Sequence, residues 1–219
     1  MDENEFFERE YKEEEREYKE EELFAFVREG ILGMKGTLLA QKLLPIRARY
    51  YVQEFDEGSI GLEEALAELE RLAADMGLRK VRQWARDELR GYTPSRHSPL
   101  PPYRVLPCET VTLAGEIDGE FYEGVSYSPI LLPLEVTRLL GTDRVYESIP
   151  DLEESENRYG GLTLHRIDLL DDLTEATDGM FNCLIVKQNV SAEQLEQITD
   201  AVTDRMICEF MDIIDIFEA

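Results

Sequence analysis

Apolar side chains recur every three or four residues along the last part of the chain: Leu195, Ile198, Val202, Met206, Phe210, Ile213 and Phe217. That spacing puts them on one face of a helix. The run opens on Ser191-Ala-Glu-Gln194, in which the serine and glutamine can satisfy each other's backbone N–H groups as a capping box. A long C-terminal helix with one side in the core is predicted. Upstream, Leu62, Leu66, Leu69 and Leu72 line one face of a helix that starts after Gly58 and ends near Gly77. A second helix follows over Leu78–Leu89, with Val81, Trp84, Ala85 and Leu89 inward and Gly91 as its C-cap. From Leu23 to Phe55 the apolar residues again keep helical spacing. Gly30, Gly33 and Gly36 weaken a helix there, so two helices are expected with a break between Gly30 and Gly36, and a further break or kink at Pro45.

Elsewhere the pattern changes. Tyr103–Leu113 and Glu116–Tyr127 are rich in β-branched and aromatic residues, and Ile117-Asp118-Gly119 offers a hairpin turn between them. Phe181–Lys187 reads as another strand. The segment Tyr92–Pro102 holds four prolines and two serines and reads as a loop. Pro129–Pro133 leads into a short helix over Leu134–Leu140. Residues 141–161 are polar and poorly patterned, as in a loop with a turn of helix. Leu164–Thr177 reads as a helix with Ile167, Leu170 and Leu173 inward. The expected fold is α+β and mostly α-helical. It is a helical bundle-like body with a small antiparallel sheet or hairpin near 103–127 and a long C-terminal helix. Residues 1–57 are expected to form an acidic helical N-terminal extension, and 58–219 the domain proper.

Charge changes the picture more than composition does. With 48 acidic and 23 basic residues the net charge is −25. Such a surface repels phosphates and anionic membranes, which argues against direct nucleic-acid binding. Three explanations fit the excess: adaptation to a salty cytoplasm, a docking surface for a basic partner, or mimicry of nucleic acid. The first 22 residues carry twelve acids and four bases. Glu5 and Arg9, Glu8 and Lys12, and Glu15 and Lys19 are i, i+4 pairs with the acid first, which supports a helix. Phe7, Tyr11 and Tyr18 give it a thin aromatic stripe suited to a partner; a solvated tail is the alternative. This charged start is not a signal peptide, and the apolar stretch from Ile31 to Ile46 is interrupted by Lys35 and Lys42 and too short to span a bilayer. A cytoplasmic protein without membrane association is expected. Cys108, Cys183 and Cys208 are too few and too scattered for a disulfide framework or a Cys-x-x-Cys metal site.

Motifs for chemistry are sparse. The chain has no G-x-G-x-x-G, no Walker-type loop and no G-x-S-x-G elbow. His97 lies in the proline-rich loop and His165 before an expected helix, and no local signature pairs either with a nucleophile. Asp168, Asp171 and Asp172 are the candidates for a metal cluster, Asp168 and Asp172 being spaced to share a helix face, but a solvated face on an acidic protein is the preferred reading. No cofactor or metal is expected. One constellation stands out: Trp84-Ala-Arg-Asp-Glu88-Leu89-Arg90-Gly91-Tyr92, followed by Pro102-Tyr103-Arg104. In one reading Trp84, Tyr92 and Tyr103 form a recognition surface with polar contacts from Glu88 and Arg104. In the other, Trp84 and Leu89 fill the core while Glu88 and Arg104 pair to orient the loop.

At these residues the sequence resembles the AbiTii-domain family, named for an abortive-infection protein. The resemblance rests on Trp84…Glu88-Leu89-Arg90-Gly91-Tyr92 and Pro102-Tyr103-Arg104, helped by Pro129-Ile-Leu-Leu-Pro133 and by Ile198…Val202…Arg205-Met206…Phe210. It covers about residues 58–218. Arg90 stands where a small polar residue is expected, and residues 1–57 have no counterpart. The resemblance implies a role in prokaryotic antiviral defence, in which an infected cell stops supporting replication. It brings no catalytic residues to carry over. The function expected from it is a non-enzymatic adaptor or sensor that meets another protein, a defence effector or a second copy of itself. An acidic antitoxin-like or nucleic-acid-mimic inhibitor of a basic enzyme and a hydrolytic effector with an unrecognised site are the alternatives.

Overall fold

The computed structural model describes residues 38–93 and 100–218. Phe7, Tyr11, Tyr18, His97 and the expected break between Gly30 and Gly36 lie outside the described residues. The described residues divide into two compact units: those through Arg86 together with those from Arg205 onward, and those between Asp87 and Asp204.

In the first unit, α1 (Leu38–Asp56) packs against α2 (Leu62–Met76). Of the break or kink expected at Pro45, the break is absent: the helix continues on both sides of it. Leu43, Leu44 and Ala48 are buried on α1. Leu62, Leu66, Leu69 and Leu72 are buried on α2 as the spacing predicts. Gly77 ends α2 in the left-handed conformation, φ 72°, where a residue without Cβ carries no steric penalty. Glu68 joins this apolar face and is buried too, in an ion pair with Arg47 of α1 and a second with Arg71 at 3.0 Å. The next helix, α3 (Arg79–Arg90), buries Trp84 and Ala85 but leaves Val81 half-exposed. The guanidinium of Arg205 lies over the Trp84 ring, 4.2 Å from its centroid, a cation–π contact. Met206, Phe210, Ile213 and Ile214 complete the apolar interior of this unit. Phe217, expected inward, is 41% exposed, because the helix passes its last core layer at Ile214.

The second unit holds more sheet than the sequence suggested. Strands β2 (Thr110–Ile117), β3 (Glu120–Tyr127), β5 (Gly161–His165) and β6 (Asn182–Ser191) form one antiparallel sheet in the order β3-β2-β6-β5. β1 (Val105–Pro107) and β4 (Thr142–Arg144) pair separately, Leu106 opposite Asp143. The predicted hairpin turn is present: Asp118 and Gly119 both have positive φ (52° and 83°), the two-residue geometry whose twist matches the flanking strands. One sheet face packs under α4 (Leu134–Leu140) and α6 (Leu170–Ala176), around Val111, Val136, Leu140, Leu173, Cys183 and Val186. The other carries polar cross-strand pairs beside the apolar Ala114, Ile185 and Phe121: Thr112 and Ser126 share a hydrogen bond of 2.9 Å, and Thr163 donates to Asn189 at 3.0 Å.

Three further expectations are corrected. Leu164–Thr177 is not one helix: Gly161–His165 is strand β5, Ile167–Leu169 is a 3-10 turn, and only Leu170–Ala176 is α-helical. Ile167 is 77% exposed as a result. Residues 141–161 hold β4 and an eleven-residue helix, α5 (Ile149–Tyr159), N-capped by Ser148, whose Oγ accepts from the Asp151 N–H at 3.3 Å. The expected strand Tyr103–Leu113 is split into a 3-10 turn at Pro102–Arg104, β1 and the start of β2. The capping box opens α7 (Ala192–Glu218) as predicted. Gln194 N–H donates to Ser191 Oγ at 3.3 Å, and Ser191 N–H donates to Gln194 Oε1 at 3.1 Å. On α7, Leu195, Ile198 and Val202 are buried in this unit.

Phe210 is fully buried. Phe210→Ala should lower stability by about 3–5 kcal/mol, through lost transfer energy and the cavity left behind. Urea unfolding measures this, and a midpoint unchanged from wild type would place the ring outside the core.

Candidate functional site

The site begins with a polar residue in an apolar place. Glu88 follows Trp84 by four residues and Ala85 by three, so helical geometry carries it to the inward face of α3, and it has no exposed surface. A buried carboxylate is costly unless opposite charge and hydrogen bonds surround it. Here they do. Arg104, also with no exposed surface, pairs with Glu88 Oε2 through Nη2 and donates from Nε at 3.0 Å. Tyr92 and Tyr103 each donate a hydroxyl to Glu88 Oε1 at 2.6 Å.

Local geometry explains how the partners arrive. Gly91 (φ 78°) turns the chain as α3 ends, and a Cβ there would stand 2.8 Å from the Tyr146 carbonyl oxygen. The turn lets the Tyr92 N–H donate to that oxygen at 2.6 Å and aims the Tyr92 ring back toward Glu88. Arg104 stands 4.9 Å from the Tyr92 ring centroid. Its Nη1 also donates to the Val145 and Glu147 carbonyls at 3.3 and 2.7 Å, and its own carbonyl accepts from the Val145 N–H at 3.0 Å. One guanidinium therefore ties together the end of α3, the 3-10 turn before β1, and the segment between β4 and α5. Burial, then the adjacent Glu88 carboxylate, pushes the Tyr92 hydroxyl far above its ordinary range, so it stays a proton donor.

Glu88, Tyr92, Tyr103 and Arg104 thus converge, with Glu88 and Arg104 paired as in the second sequence reading. Trp84 belongs to the other unit, under Arg205. Leu89, expected inward, is half-exposed, because Glu88 takes the buried position beside it.

A second polar cluster was not singled out in the sequence. Gln188 occupies an inward position of β6 between Val186 and Val190, and donates from Nε2 to the Leu140 and Thr142 carbonyls at 3.0 and 3.3 Å. Its Oε1 accepts from Arg166 Nη1 at 2.5 Å. Arg166 in turn holds Asp168 through two contacts of 2.9 and 2.8 Å. Asp143 lies close by, fully buried, with neither carboxylate oxygen in a hydrogen bond of normal geometry among the described residues. Burial raises its carboxyl to about 6; the Cys108 thiol and the Arg166 guanidinium pull it back only in part. Burial and the Asp143 charge push the Cys108 thiol up to about 12, away from a nucleophilic thiolate. The one clue in the sequence was Gln188, a polar residue in the inward register of an apolar strand.

His165 ends strand β5 and is exposed, not ahead of a helix as expected. Asp168 sits in a 3-10 turn and pairs with Arg166, whereas Asp171 and Asp172 start α6. Among the described residues no three His, Cys, Asp or Glu side chains gather as metal ligands would. The three cysteines are free thiols. No described helix is long and apolar enough to cross a membrane.

Fold and network together define a mostly helical α+β protein organised around a buried glutamate–arginine pair. The chain belongs to the AbiTii family, whose model matches residues 55–214. No curated protein and no solved structure matches it. Membership associates the chain with abortive infection, a defence against viruses.

Two outcomes test the chemistry. Glu88→Gln leaves Arg104 as an uncompensated buried charge and should cost about 3–5 kcal/mol, whereas Glu88→Leu with Arg104→Leu should recover much of that loss. Urea unfolding of the single and double variants measures both. For Asp143, the folded carboxyl titrates near 6 against about 3.9 for an unfolded chain. Its contribution is therefore unchanged below about pH 4 and falls as pH rises toward 6, while only the unfolded state ionises. Asp143→Asn should flatten that part of the stability profile and raise stability at pH 7.5 by about 3 kcal/mol. Equal profiles for variant and wild type would show that the carboxylate is relieved by partners outside the described residues.

Proposed function

We propose that this chain is a non-enzymatic adaptor or sensor of a prokaryotic abortive-infection system, acting by contact with another protein. The observation that carries the reading is the engagement of the polar residues of the helix-end motif with one another and with backbone. Glu88 accepts four hydrogen bonds, two from tyrosines and two from Arg104, and Nη1 of the guanidinium donates to two backbone carbonyls. Groups engaged in this way fix a backbone and are poorly placed to act on a substrate. The net charge of −25 supports a partner with basic character. The acidic segment 1–22, with Phe7, Tyr11 and Tyr18, is the surface proposed to meet it.

Deleting residues 1–22 should abolish co-purification of the partner from phage-infected cells while leaving the melting curve of the body unchanged. Undiminished recovery of the partner would overturn the role given to the segment. The charge also favours a second reading, inhibition of a basic enzyme by an acidic mimic. In that case complex formation should fall steeply between 50 and 500 mM salt, since screening weakens contacts between charged surfaces.

A further inference from the structure

In the first unit, α1 and α7 leave a cleft of about 400 Å³ between them, lined by Arg49, Val52, Gln53, Asp56, Glu57, Met211, Ile214 and Asp215. The residues fall in register. Arg49, Val52, Gln53, Asp56 and Glu57 recur at three- and four-residue steps on α1, and Met211, Ile214 and Asp215 do so on α7, so each helix presents one stripe. Val52, Met211 and Ile214 make an apolar floor, and Met211 is 45% exposed although it is a large apolar side chain. The rim is charged, with three carboxylates (Asp56, Glu57 and Asp215) facing a single guanidinium, Arg49.

We infer that this cleft is a docking groove for a cationic amphipathic helix of another protein, one that lays aliphatic side chains on the floor and lysines or arginines along the rim. The inference deepens the adaptor reading and rests on it. Three features select this occupant. An apolar floor between two helices accepts the hydrophobic stripe of a third, and a methionine there adapts to side chains of different shape. The rim carries a net negative charge, which favours a basic ligand at encounter and in register. The same charge disfavours two other candidates: the chain's own first 22 residues, which carry twelve acids against four bases, and a second copy, which brings a net charge of −25.

A 16-residue synthetic helix of leucine and lysine, fluorescein-labelled, serves as the probe, titrated into the full-length protein at 150 mM salt. Asp56→Lys with Asp215→Lys should weaken binding at least tenfold. Glu175→Lys with Asp178→Lys, the same charge change on exposed residues of the other unit, should alter it less than twofold. Met211→Glu separates the groove from charge alone. It adds a negative charge, so simple attraction would tighten the peptide, whereas loss of the apolar floor should weaken it about tenfold. The exposed position lets this variant fold, which an unchanged melting curve verifies. Tighter binding to Met211→Glu, or equal losses from the two lysine pairs, would overturn the groove. Those results would leave the adaptor reading standing, because that reading is judged by recovery of the natural partner.

Discussion

A guanidinium and a carboxylate with no exposed surface persist only where each finds the other and further hydrogen bonds. Glu88 and Arg104 meet that condition, and much of the second unit's layout follows from it. Arg104 reaches the Val145 and Glu147 carbonyls, so the segment leading into α5 is set by a side chain more than forty residues earlier in the chain. The Tyr92 hydroxyl requires the turn at Gly91, and the turn brings the Tyr92 N–H to the Tyr146 carbonyl. Apolar residues would fill the same volume, but without directional demands. The pair specifies one arrangement of helix end, turn and strand.

The interior carboxylates illustrate three solutions to one problem. Glu68 is shared by Arg47 and Arg71, which joins α1 to α2 through charge. Glu88 adds two tyrosine hydroxyls to its arginine. Asp143 has neither arrangement and responds by holding its proton to a higher pH. In a chain with more than twice as many acids as bases, each internal pair is neutral, so the excess of negative charge stays on the exterior.

Much of the architecture was legible because periodicity and turn chemistry agreed. The α2 leucines, the Ser191–Gln194 capping box and the Asp118-Gly119 turn each combine a pattern with a local physical cause, and each appears as read. The failures share a cause as well. Helix α5 buries only Ile149 and Leu152, too few apolar positions to show a period. Strand β5 alternates only briefly before the 3-10 turn, so its leucines merged with those of α6 into a false helix. Pro45 stays within α1, where tertiary packing outweighs the local penalty. For the site, the sequence singled out residues of the helix-end motif that the structure brings together, but it left two roles open, because a glutamate and an arginine sixteen positions apart carry no sign of whether they face water or each other. Asp143 gave no sign at all, since its burial comes from pairing with β1 and not from its neighbours in sequence.

The discontinuity of the first unit has a bearing on how the protein is made. Its opening helices are synthesised well before the segment from Arg205 that completes their interior, and the whole of Asp87–Asp204 comes between. At ordinary translation speeds that interval lasts on the order of ten seconds. Throughout it, the leucine face of α2 waits on the ribosome without Phe210 and its neighbours. The nascent protein thus passes through a stage in which an inserted unit is threaded out of a half-built one, and chaperone capture or premature self-association competes with closure at that stage.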